Sequence, residues 1–301
     1  MPIFLIKNKF FLSIFFWLTN FFFLIVGYFY FKNFNFETLD QINNLVILKT
    51  ILLIFLFSLL RALRLKNIFN ILNTKLSFYK YFYISTVSQS YGLLTPARLG
   101  EIYFVQFLKS NDKKKKFFIF LISKLFEFIL LLSLFFFLLL SLFELIKINN
   151  HFYYFLTLFF FLFISNFIIF KFIKLLFYKY KIIQVFIDKN FFDKACNQYF
   201  RINLYSTASW VLLFYSVYYL NSAFLNINNF YSYSFLNQVS ISLPISFFGI
   251  GVRDFLFSFI DTNNLSLLIS FSFIYVYFLM ISLGFLIFFY NFLLNLFFIK
   301  K

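Results

Sequence analysis

Cysteine and histidine are almost missing from this 301-residue chain, which holds Cys196 and His151 alone of each kind. Single residues build no disulfide framework, no zinc site and no Cys/His nucleophile pair, so neither metal nor catalytic residue is expected. Acids are scarce too, ten against 27 Lys and Arg, for a formal net charge of +17. Helix breakers are few, with three prolines and six glycines. Gly249-Ile250-Gly251 lacks both the third glycine and the preceding strand of a dinucleotide fingerprint, and no Walker-type loop is present. A nucleotide cofactor is therefore not expected, and ATP is not the direct driver of any activity.

What fills the chain is apolar. Hydrophobic residues make up 63% and charged residues 12%. A soluble domain of this size has no use for so much apolar surface, so lipid is the solvent for most of it. Phenylalanine alone accounts for 60 residues. With Ile, Lys and Asn also read from AT-rich codons, the excess reflects genome composition. The bases gather between apolar runs, the pattern of cytoplasmic loops and not of a nucleic-acid surface.

Lys7 and Lys9 precede a first span over residues 10–31, too long for a signal peptide and with no small-residue cleavage site after it. A second span covers 45–60, followed by the basic residues Arg61, Arg64, Lys66, Lys75 and Lys80. Residues 81–108 are too polar and broken for a clean span, and bases flank them on both sides. They are expected to enter and leave by the cytoplasmic face as a re-entrant helical hairpin. Residues 117–143 and 152–170 form two further spans. A basic, amphipathic linker over 171–204 is expected on the inner membrane surface. Residues 205–225 cross again, 235–261 dip in from the outside, and 265–297 form the last span. The expectation is an all-α, polytopic, single-domain membrane protein of about six full spans plus two re-entrant hairpins. Its halves, 45–143 and 205–297, form an inverted repeat. Both termini are cytoplasmic, because Lys and Arg gather there.

Two stretches break the apolar pattern with the same grammar. Leu94-Thr95-Pro96-Ala97-Arg98-Leu99-Gly100-Glu101 and Pro244-Ile245-Ser246-Phe247-Phe248-Gly249-Ile250-Gly251-Val252-Arg253-Asp254 each run from proline through glycine to a base and an acid. Pro96, Gly100, Pro244, Gly249 and Gly251 let the chain turn inside the membrane and turn backbone groups toward a groove. Lys124 and Glu127 stand three apart on one helix face. Arg98, Glu101, Lys124, Glu127, Arg253 and Asp254 thus lie at membrane depth. At roughly 3 kcal/mol each, six unpaired charges would cost on the order of 18 kcal/mol, against a whole folding stability of about 5–15. They must be paired, hydrated or near the interface. Two readings stay open: a path for a polar head group, or a structural ion-pair lock.

The two broken stretches resemble the signature stretches of the lysylphosphatidylglycerol synthase transmembrane region, a flippase-like family of bacterial and archaeal membrane proteins. Lys124-Leu125-Phe126-Glu127 is similar to that family's Arg-x-x-Asp element. Asp254 stands where the family usually has Glu, Ser123 where a Glu often precedes the element, and Phe104 where a second arginine often follows Gly-Glu. The resemblance implies movement of a phospholipid or isoprenoid-linked lipid across the bacterial inner membrane, without catalysis by this chain. It leaves two alternatives: a membrane subunit for lipid aminoacylation beside a separate transferase, or an assembly factor for envelope polysaccharide.

Overall fold

The computed structural model describes residues 44–108, 113–142, 151–179, 189–222, 225, 227–242, 252–258, 260 and 264–298. Within these the chain is helical, in the order α1 (Asn44–Asn70), α2 (Phe78–Leu93), a 3-10 segment (Pro96–Phe107), α3 (Lys113–Leu142), α4 (His151–Lys179), α5 (Lys189–Leu220), α6 (Ile227–Ser242), α7 (Val252–Ser258) and α8 (Asn264–Phe298). No strand occurs among the described residues. The expected first span, both termini and the breakers Pro244, Gly249 and Gly251 lie outside them.

Four of these helices are long and apolar enough to cross a bilayer, over Asn44–Asn70, Lys115–Leu140, Tyr153–Leu175 and Leu267–Phe292. Large apolar side chains such as Leu48, Leu52, Phe55, Ile168, Phe278 and Leu286 stand exposed on their outer faces. Contiguous exposed apolar surface of this kind suits lipid. Residues 205–220 of the expected fifth span lie in α5, which is not among the four. The reason is physical: α5 packs most extensively against α1 and buries Asn203, Ser206, Thr207, Ser209 and Ser216, so this stretch faces protein more than lipid.

The order long helix, 16-residue helix, short broken segment, long helix occurs twice, with α4 between. Packing follows the same exchange. Helix α1 meets α5, α2 meets α8 as α6 meets α3, and α2 holds the 3-10 segment as α6 holds α7. Each half therefore inserts its 16-residue helix against the closing helix of the other.

Several boundaries move relative to the sequence reading. Helix α1 runs ten residues past the expected end at Leu60, since no proline or glycine intervenes and Ala62, Leu65, Ile68 and Phe69 continue its buried face. A turn over residues 71–73 closes it at Asn73, whose φ of 54° is left-handed, while the Thr74 N–H reaches back to the Phe69 carbonyl at 3.1 Å. That is a Schellman-type end. Residues 171–204 do not form one separate connector in the described parts. Residues 171–179 complete α4 and 189–204 open α5.

Several polar side chains bond one another inside the bundle. Ser133 donates to Asn166 (3.0 Å), Asn166 to Asn203 (3.1 Å) and Asn203 to the Phe163 carbonyl (3.0 Å), tying α3, α4 and α5 together. In α2, Thr86 and Ser90 return their hydroxyls to carbonyls four residues back, at 2.9 and 3.0 Å. Small side chains there let α8 approach closely, as at membrane helix crossings generally. A Cβ on Gly284 would lie 1.9 Å from Ser90 Oγ and 2.8 Å from Ser90 Cβ. Gly284→Ala is therefore expected to cost about 1–3 kcal/mol through overpacking. Thermal unfolding of the purified protein in detergent, read as a lowered transition temperature, checks this.

Candidate functional site

Two apolar cores meet in the first half. On α1 one core ends at Phe57 and the other begins at Ala62; on α3 the change falls between Ile129 and Leu130. The charged residues gather along this seam.

The polar side of the seam is built by the hairpin of α2 and the 3-10 segment. Thr95 is extended, its hydroxyl bonds the Tyr91 carbonyl (2.9 Å), and the Gly100 N–H donates to that same hydroxyl (2.6 Å). Arg98 has φ 56°, left-handed for a residue with a side chain. Such a conformation costs of order 1–3 kcal/mol and persists only where surroundings enforce it. Here it lets Arg98 reach Glu101, three residues on, in a tight ion pair. Glu101 in turn lies over Gly92, where a Cβ would come within 2.4 Å of its Cγ.

Glu101 is buried and meets three cations. Besides Arg98 these are Lys124 Nζ at 2.7 Å and Arg61 Nη2 at 3.4 Å. Glu127 meets another set: Arg64 Nη1 at 3.1 Å, Lys124 Nζ at 3.2 Å and Arg61 Nη2 at 3.5 Å. Arg64 Nη2 also donates to the Ser123 carbonyl (3.0 Å) and hydroxyl (3.2 Å). Four expected residues, Arg98, Glu101, Lys124 and Glu127, thus form one cluster. Arg61 and Arg64 were missed. They read as part of a cytoplasmic basic run, whereas α1 carries them inward as its buried face continues. The uninterrupted apolar spacing from Phe57 to Phe69 was the available signal.

Arg253 and Asp254 lie apart, on α7, and both are fully buried. Arg253 Nε stands 3.4 Å from Asp254 Oδ1 and 3.1 Å from Ser270 Oγ, and Ser270 donates to Asp254. Tyr277 lines the same cavity as Arg98, and its hydroxyl accepts from Asn237 at 2.6 Å. A cavity between the halves is lined by Arg61, Gln89, Arg98, Trp210, Gln238 and Tyr277.

The family model for the lysylphosphatidylglycerol synthase transmembrane region matches residues 10–288. The chain belongs to that family. Comparison with curated proteins and with solved structures returned no match. A lysylphosphatidylglycerol synthase transmembrane region with these apolar helices is a multi-pass membrane protein. Among the described residues no group of three His, Cys, Asp or Glu is placed to hold a metal ion. The site's chemistry is that of guanidinium, ammonium, carboxylate and hydroxyl groups: it can bind and release charge in a water-poor seam.

Glu101 balances three bases, so its loss leaves buried cations uncompensated, a change that typically costs about 3–5 kcal/mol. Lys124 is the most exposed of the cations, and its loss lowers a positive excess. Glu101→Gln is expected to cut the yield of monodisperse protein and its transition temperature sharply, and Lys124→Met far less. Size-exclusion chromatography with thermal challenge measures both.

Proposed function

We propose that this protein carries a lipid with a polar or charged head group across the bacterial inner membrane, with both termini on the cytoplasmic side. The observation that carries the reading is the cavity shared by the halves, lined by Arg61 and Arg98 from the first and Gln238 and Tyr277 from the second. A head group could move along it while the acyl or isoprenoid tails stay in the bilayer. Membership of a lipid-handling membrane family supports this, as does the repeated helix order, which suits alternation between two related halves. The two hairpins, one from each face, would open in turn. On this reading the chain performs no chemistry itself, and a lipid-modifying transferase is the class of partner that would supply its cargo.

Arg makes planar, forked contacts that Lys does not reproduce. Arg98→Lys is expected to slow translocation roughly tenfold, the loss of one charge-assisted contact, and Arg253→Lys to slow it by loosening the buried Arg253–Asp254–Ser270 contacts of α7. The assay is dithionite quenching of head-group-labelled phosphatidylglycerol and phosphatidylcholine in reconstituted vesicles. Both variants should insert as the parent does. Parental rates in both variants, or no protein-dependent movement of either lipid, would overturn the proposal.

A further inference from the structure

We propose that the groove between α2 and α8 seats one hydrocarbon tail of the transported lipid, and that this seam is the side by which the lipid reaches the cavity. The inference rests on the transport reading and deepens it by naming where the cargo's tails ride.

Position is the first ground. Val87, Tyr91 and Leu94 line the groove from the α2 side, and Gly284, Phe285 and Phe288 from α8. All three α8 residues fall within the membrane-crossing stretch Leu267–Phe292. Tyr91, Phe285 and Phe288 stand exposed. In a bilayer the surroundings at that depth are hydrocarbon, so what covers the groove is a chain and not water. Ser90, which also lines it, turns its hydroxyl to the carbonyls of Thr86 (3.0 Å) and Met280 (3.3 Å), which leaves the wall apolar. The groove holds about 40 Å³. A pocket for a whole small ligand starts at roughly 300 Å³, so a short stretch of chain fits here and a head group does not.

Continuity with the cavity is the second ground. The same two helices line both spaces: Gln89 and Leu93 of α2, with Tyr277 and Met280 of α8, belong to the cavity. A single layer of side chains separates it from the groove. In that layer Gln89 Nε2 donates to Met280 Sδ at 2.9 Å, and Ser90 to the Met280 carbonyl. A thioether is a weak acceptor, and 3.3 Å is long for a hydroxyl donor. The partition is therefore held more loosely than the seam of α3, α4 and α5, which amide bonds tie at 3.0 to 3.1 Å. It is also thin, since Gly284 brings the α8 backbone against Ser90. A lipid with its head group in the cavity and its tails in the bilayer must be joined through some wall. This wall has the cavity on one side and a chain-sized groove on the other.

The test uses the full-length protein with Cys196→Ser, carrying Tyr91→Cys or Phe288→Cys in the groove, or Leu52→Cys on the lipid-facing side of α1. Each is blocked with N-benzylmaleimide in detergent, reconstituted, and compared with its own unblocked form. The block should slow movement of head-group-labelled phosphatidylglycerol and phosphatidylcholine about four- to fifteenfold at both groove positions, the loss of one or two buried methylene contacts. The Leu52→Cys protein should be unaffected. A second readout needs no transport. A phosphatidylglycerol with a diazirine at the end of one acyl chain is photolysed as a trace component of phosphatidylcholine nanodiscs holding the Cys196→Ser protein. Label should fall on residues 87–94 and 284–288 at least about fourfold more than on Leu48, Leu52 and Ile168. Label spread evenly over the lipid-facing residues overturns the inference. So does unchanged movement in both blocked groove variants, the mark of a resident annular lipid. Groove labelling without protein-dependent lipid movement overturns the transport reading alone. Lipid movement with even labelling overturns the tail site alone.

Discussion

The Glu101 carboxylate is the joint on which the first half depends. It draws Arg98 from its own segment, Arg61 from α1 and Lys124 from α3 to one point. Without it the 3-10 segment would have little reason to hold Arg98 at a positive φ, and two apolar cores would meet across uncompensated bases. In a low-dielectric interior such a network is costly to leave half satisfied. Glu127 performs the matching task for Arg64, which also donates to the carbonyl and hydroxyl of Ser123. The ion pairs that brace the helices include Arg61 and Arg98, which also line the cavity that the transport reading uses.

In the second half, among the described residues, Arg253 and Asp254 share Ser270 and sit fully buried. Tyr277 and Gln238 bring that half to the wall of the shared cavity. The two halves thus contribute unequally: one supplies cations, the other neutral hydrogen-bonding groups.

Much of this was legible before any coordinates. Lys124 and Glu127, three apart, do pair on one face of α3, and Arg98 does reach Glu101. The turn between those last two is 3-10 and begins with a left-handed arginine, which no propensity rule anticipates. Arg61 and Arg64 were read by charge when they should have been read by spacing. Positive residues near a span suggest a cytoplasmic loop, but Phe57, Ala62, Leu65 and Ile68 keep the helix and its buried face going. Gly92 gave no signal at all, because its role is to make room for a side chain nine residues away. The polar face of α5 was likewise hidden: Asn203 falls in the expected linker and Thr207 in the expected span, and their shared role shows only with Asn166 and Ser133 beside them.

The central claim, that two carboxylates hold an excess of cations together across the seam, is tested most directly by a double-mutant cycle. Glu101→Gln, Arg98→Gln and the double variant would be unfolded thermally in lipid nanodiscs. If the charges are coupled, removing Arg98 relieves part of the damage done by Glu101→Gln. The double variant should then unfold at or above the temperature of Glu101→Gln alone, with a coupling of about 1–3 kcal/mol. Strictly additive losses would contradict the account.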